Sequence, residues 1–159
     1  MILYLLRHGI AEEVSPGGRD EERELTEDGR AKLNDLLRRA AKAGVKPRVI
    51  LSSPYQRAMQ TAKLAAKLLG GPEPVEAKVL TPHGDPRAVW DAVRDYSDTS
   101  ELLLAGHEPL LSSTVSHLLA SPALQLDMKK GTMVAIQFES LRREPHGVLR
   151  WILTPRLCV

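Results

Sequence analysis

Ile2-Leu3-Tyr4-Leu5-Leu6-Arg7-His8-Gly9 runs apolar as far as Leu6 and then turns, without transition, to an arginine, a histidine and a glycine. An uninterrupted apolar run of this length fits a strand covered on both faces, as strands of parallel sheets are. It is far short of the roughly 20 apolar residues that a membrane span needs. It also lacks the basic flank and longer apolar stretch of a secretion signal. Two further stretches repeat the layout of apolar run followed by polar cluster. They are Val49-Ile50-Leu51-Ser52-Ser53-Pro54-Tyr55-Gln56-Arg57-Ala58 and Leu102-Leu103-Leu104-Ala105-Gly106-His107-Glu108-Pro109.

Helical patterns fill the intervals, and the alternation indicates an α/β layered fold. Thr26 is a candidate N-cap with Glu27 and Asp28 in the first turn, followed by an apolar stripe of Leu33, Leu36, Leu37 and Ala40 and a stop at Gly44. A second helix is expected to open at Ser53-Pro54, with proline at the first helical position, and to stop at Gly70-Gly71. Asp85-Pro86 repeats that opening, and a fourth helix is expected over 109–120, before the break at Ser121-Pro122. Residues 75–80 give a weaker strand signal. Residues 133–138 and 148–153 alternate, joined by a polar, hairpin-like connection. Residues 14–24 are the most polar stretch and read as a mobile loop near the end of the first strand.

With 159 residues the chain fits one domain around one core, and no repeat or linker divides it. Basic and acidic residues nearly balance, 22 against 20, without the clustered basic face of a nucleic-acid binder. The one cysteine, Cys158, cannot form an intrachain disulfide, which suits a reducing cytosol. The expectation is therefore a cytoplasmic protein with no nucleic-acid or membrane partner.

Ligands of open α/β sheets bind beyond the carboxyl ends of the strands, so the three polar clusters are placed to share one pocket. Pooled, they offer two histidines, two arginines, hydroxyls and helix N-termini, a set that suits a phosphoryl group. Each cluster alone has a structural explanation. An Arg-His pair is commonly a surface feature, Ser52-Ser53 can be a helix cap, and Gly106-His107 can be a turn. Gly9 is expected to permit close backbone approach. No His, Asp or Glu grouping has convincing metal-ligand spacing.

The chain resembles the histidine phosphatase superfamily, which includes the cofactor-dependent phosphoglycerate mutases. Arg7-His8-Gly9 matches the signature at the end of the first strand, residues 52–62 resemble the second motif, and Gly106-His107 corresponds to the late Gly-His. The resemblance spans the chain. It implies a single histidine phosphatase domain over 1–159, a three-layer α/β/α sandwich with a central, mostly parallel mixed sheet. Within the superfamily the chain is most similar to the short SixA-type phosphohistidine phosphatases, through Arg23-Glu24-Leu25-Thr26 with Gly29, Leu80-Thr81-Pro82-His83-Gly84-Asp85 and Met128-Lys129-Lys130-Gly131.

By that resemblance His8 accepts the phosphoryl group, Arg7, Arg57 and a protonated His107 surround its oxygens, and water then releases phosphate. Gly9, Ser52, Arg23 and Glu108 are the further candidates for substrate binding. Neither metal nor cofactor is required. Larger relatives carry an acidic residue about where Thr81-Pro82 stand, and a protonating acid matters more for an alcohol leaving group than for an imidazole. Its absence favours phosphohistidine, with Asp85 or Glu108 as substitutes; Asp85 serves equally as the cap before Pro86. The implied partner is a phosphohistidine-bearing protein, such as a histidine-containing phosphotransfer domain or a phosphocarrier. The competing readings are a phosphatase or mutase of small phosphate esters and a binding module without turnover. His83, His117 and His146 lie outside the motifs and read as structural or solvated.

Overall fold

In the computed structural model, which describes residues 1–158, the opening apolar run is strand β1 (Ile2–Arg7), inside a six-stranded sheet. The others are β2 (Val49–Ser52), β3 (Val75–Glu76), β4 (Glu101–Gly106), β5 (Met133–Gln137) and β6 (Val148–Leu153). Their order is β3-β2-β4-β1-β5-β6. The first four in that order are parallel, and β5 runs antiparallel to both β1 and β6. Helices α1 (Glu27–Lys42), α2 (Gln56–Leu69), α3 (Pro86–Arg94) and α4 (Leu110–Leu118) fill the long connections.

Successive strand side chains point to opposite faces. Leu3, Leu5, Leu102 and Leu104 meet Trp90, Val93, Leu111 and Val115 of α3 and α4. Tyr4, Leu6, Leu103 and Ala105 meet Leu33, Leu36, Leu37, Ala62 and Ala65 of α1 and α2. Helices on both faces make the expected three-layer sandwich, and explain why β1 is apolar from Ile2 to Leu6 and β4 from Leu102 to Ala105. Among the described residues no helix is long and apolar enough to cross a membrane.

The caps behave as their chemistry requires. Thr26 Oγ1 accepts the Gly29 N–H at 3.0 Å, and Asp85 Oδ1 accepts the Arg87 N–H at 3.2 Å with Pro86 in the first turn. Three boundaries differ from the expectation. Helix α2 begins at Gln56, because Ser53 and Pro54 form the turn that carries the chain off β2. The strand expected over 75–80 is only Val75–Glu76, an exposed edge, after which a 3-10 turn over Lys78–Leu80 buries Leu80. Helix α4 ends at Leu118, short of the Ser121-Pro122 break.

Helix α1 crosses the end of β1 at backbone contact. A Cβ on Gly9 would lie 2.6 Å from Leu33 Cδ1, and one on Gly29 would lie 2.1 Å from the Ile10 carbonyl oxygen. The close approach that Gly9 permits is thus to α1. Gly29→Ala forces a methyl onto backbone and is expected to destabilise the fold by more than about 2 kcal/mol. An unchanged urea midpoint would show that this contact relaxes freely in solution.

Candidate active site

Strand β4 lies between β2 and β1, so the three polar clusters leave the sheet side by side. The His8 N–H donates to Gly106 O and the Ser53 N–H to Ala105 O, each at 3.0 Å. The convergence expected from the sequence follows from this strand order.

His8 is only 6% exposed. Its Nδ1 stands 2.7 Å from the Gly9 carbonyl oxygen, which can only accept, so the ring proton sits on Nδ1. That leaves the Nε2 lone pair as an acceptor, and Arg57 Nε–H donates to it at 3.4 Å. Burial pushes the His8 pKa down to about 3 against the Gly9 hydrogen bond, helped by the charges of Arg57, Arg7 and Lys130. The imidazole is therefore neutral and nucleophilic well below neutral pH.

His107, 1% exposed, lies with its ring centroid 5.0 Å from that of His8. Its Nε2 is 2.8 Å from Ser53 Oγ, which also accepts the Tyr55 N–H at 3.3 Å. Nδ1 is buried with no hydrogen-bond partner among the described residues. Burial first, then the neighbouring charges of His8 and Arg57, lower the His107 pKa to about 3. The phosphate-free protein therefore holds His107 neutral, and a bound phosphoryl dianion would favour the cation expected from the sequence.

Arg57, 3% exposed, sits in the first turn of α2 with its guanidinium 5.1 Å from the Tyr55 ring centroid. Its Nη1 donates to Asp20 O at 2.7 Å and its Nη2 to Asp20 Oδ2 at 3.1 Å. Thr61 ties α2 to the end of β1, accepting the Gly9 N–H at 3.2 Å while donating to Arg57 O at 2.7 Å. Arg7 Nη1 donates to Met128 O, and Arg7 Nε is buried without a hydrogen-bond partner among the described residues. The Gly131 N–H bonds the carbonyls of both Arg7 and His8, so residues 128–131 brace the nucleophile's segment.

The other candidates are placed differently. Ser52 Oγ donates to Ser53 O, and it is Ser53 that reaches His107. Arg23 bonds Asp20 Oδ1 and the Glu12 carbonyl, one residue removed from Arg57. Glu108 accepts the Ser112 N–H at 2.8 Å at the start of α4, and its charge reaches Arg7. Asp85 is the cap of α3. His83 and His146 are exposed, and His117 is half-buried on α4. Ser53, Thr61 and Asp20 were missed by sequence reasoning. The first two stand inside the matched motif, whereas Asp20 is one charge among several in a polar loop. The loop over 14–24 is also held by more bonds than a mobile loop implies: Ser15 is buried and donates to Arg19 O, and Arg57 holds Asp20.

A neutral His8 ring thus stands beside Arg57 Nε and the His107 ring, within reach of the Arg7 charge, an arrangement able to meet a tetrahedral oxyanion. The pattern of the histidine phosphatase superfamily (branch 1) matches residues 3–80. An uncharacterized protein of Picosynechococcus sp. is 30% identical over 153 residues, 92% of this chain and 90% of that protein. The structure of the protein histidine phosphatase SixA complexed with tungstate is similar at a TM-score of 0.87 and 23% identity, covering 98% of each chain. A phosphoserine phosphatase mutant of Entamoeba histolytica, in complex with phosphoserine, shares the fold at a TM-score of 0.71 and 16% identity, again over 98% of each. Motifs, fold and relatives agree, and the chain belongs to the histidine phosphatase superfamily as a phosphatase of that type.

Proposed function

We propose that this phosphatase removes phosphate from a phosphohistidine carried by another protein, in a signalling relay or a phosphocarrier system. His8 Nε2 attacks phosphorus, the P–N bond to the substrate breaks, and the departing imidazole takes its proton from solvent. Water then attacks phospho-His8, which releases inorganic phosphate and restores Nε2. Two displacements replace one difficult hydrolysis. Arg57, Arg7 and His107 stabilise the phosphoryl oxygens through both, as phosphoryl transfer depends chiefly on positioning and charge.

The observation that carries the substrate class is the state of the carboxylates whose charges reach these groups. Asp20 is held below the usual carboxylate range by Arg57 and Arg23, against the opposing effect of its burial. Glu108 is bonded to the Ser112 N–H and Asp127 to Lys129. Each is already engaged by a neighbouring donor, which supports a leaving group that needs no enzymic acid. The SixA likeness supports the same reading.

Beside Arg7 a cavity of about 890 Å³ opens between Ile10, Lys32, Asp35, Lys130, Pro155 and Arg156, its basic side chains outnumbering its one acid, Asp35. That balance supports an acidic protein partner as the bearer of the phosphohistidine. The enzyme is accordingly expected to prefer a phosphohistidine protein over 3-phosphoglycerate or a phosphoserine peptide, compared as kcat/KM at neutral pH. Lys129→Ala with Lys130→Ala should weaken the protein substrate more than free phosphohistidine. A small ester with the higher kcat/KM would replace this reading by that of an ester phosphatase, the chemistry named for the Entamoeba histolytica relative.

A further inference from the structure

Asp20 opens a short 3-10 turn (Asp20–Glu22) in the polar loop, and no motif contains it. Its backbone oxygen and carboxylate take both terminal nitrogens of Arg57, at 2.7 and 3.1 Å. Its other carboxylate oxygen takes Arg23 Nε and Nη2, each at 2.8 Å. Arg57 is left with Nε facing His8 Nε2 at 3.4 Å. A guanidinium is a planar fork. Holding both its ends from the loop side fixes its rotation within the plane that lies over Tyr55.

From this geometry we infer that Asp20 is a positioning residue for phosphoryl transfer: it aims Arg57 Nε–H at the nucleophile and, as a fixed anion beside the site, weakens the hold on phosphate. The inference rests on the reading of His8 as the phosphoryl acceptor. The two effects of Asp20 are separable because they have opposite signs when it is removed. Loss of aim slows transfer. Loss of a negative charge next to Arg57 strengthens binding of an incoming dianion, and of the inorganic phosphate that must leave. The side chain is 55% exposed, so water screens the second effect and keeps it modest. Arg23 acts through Asp20, since the carboxylate it fixes is the one that fixes Arg57.

Asp20→Ala is therefore expected to slow single-turnover phosphorylation of His8 about tenfold, below the loss typical of removing a direct oxyanion donor. Inorganic phosphate, titrated by calorimetry, should bind about threefold more tightly to the same variant. Asp20→Glu should recover part of the rate. Arg23→Ala should slow transfer in the parent protein and change little in the Asp20→Ala background, as coupled partners do. A wild-type transfer rate in Asp20→Ala overturns the inference, as does phosphate binding that weakens together with the rate, the signature of a merely structural loop residue. Calorimetry needs no turnover. If the parent forms no phospho-His8, the reading of His8 falls, and the sign of the change in phosphate affinity still decides for or against Asp20.

Discussion

His8→Ala is expected to abolish turnover and to remove any acid-labile phosphoenzyme. The imidazole Nε2 is the unprotonated nitrogen at the centre of the site, and alanine leaves Arg57, Arg7 and His107 with an oxyanion to hold but nothing to attack it. The same geometry sets the pH dependence. An ordinary histidine is mostly protonated by about pH 5, whereas His8 and His107 are held near 3. In both, the folded state favours the neutral ring, so neither takes up a proton until the solution is strongly acidic. The kcat/KM profile, corrected for ionisation of the substrate, should then show no acid limb from these rings between about pH 7 and about pH 5. A His8→Ala protein that keeps near-normal turnover, or a phosphoryl label that maps to another residue, overturns the nucleophile.

Arg57→Ala and His107→Ala are each expected to slow phosphoryl transfer by about 100-fold or more, in line with other lost charge stabilisers. Arg57→Lys should recover little, because an ammonium cannot bond Asp20 with two nitrogens and present a third to His8. His107→Ala removes a buried ring beside His8 and its hydrogen bond with Ser53 Oγ. Neither loss need unfold the protein. Asp20, freed of Arg57, is already half in water, which differs from stranding a fully buried charge. Single-turnover rates alongside circular dichroism of the folded variants decide the matter. A loss under tenfold in either one would mean that the developing charge is stabilised elsewhere.

Residues whose function coincides with a local rule were legible in the sequence. Arg7 and His8 follow an apolar run that can only be a doubly covered strand, and Gly106-His107 follow another. Thr26 and Asp85 are caps by position as well as by contact. Ser52 and Ser53 show where the reading stops. Consecutive residues at a strand end point to opposite faces, and the sequence does not say which face holds the ligand; the structure places Ser53 against His107 and Ser52 against its own chain. Asp20 was illegible for another reason. Its partner lies 37 residues away, and the run of like residues around it gives no spacing that singles it out. Gly9 was legible as a position of close approach, but a glycine reports that something is close without saying what, and the structure supplies Leu33 of α1.

The hydrogen bonds His8 N–H to Gly106 O and Ser53 N–H to Ala105 O make the three strand ends one ladder. Amides in such a ladder exchange with solvent only when the central sheet itself opens, at close to the free energy of global unfolding. The Asp20 turn lies outside the sheet strands, and it is held by the side chains of Arg57 and Arg23 rather than by ladder hydrogen bonds. Opening it requires only a local fluctuation. On the proposed roles, nucleophile and anion control would then belong to different cooperative units, with amide exchange faster in the loop than at the strand ends beneath it.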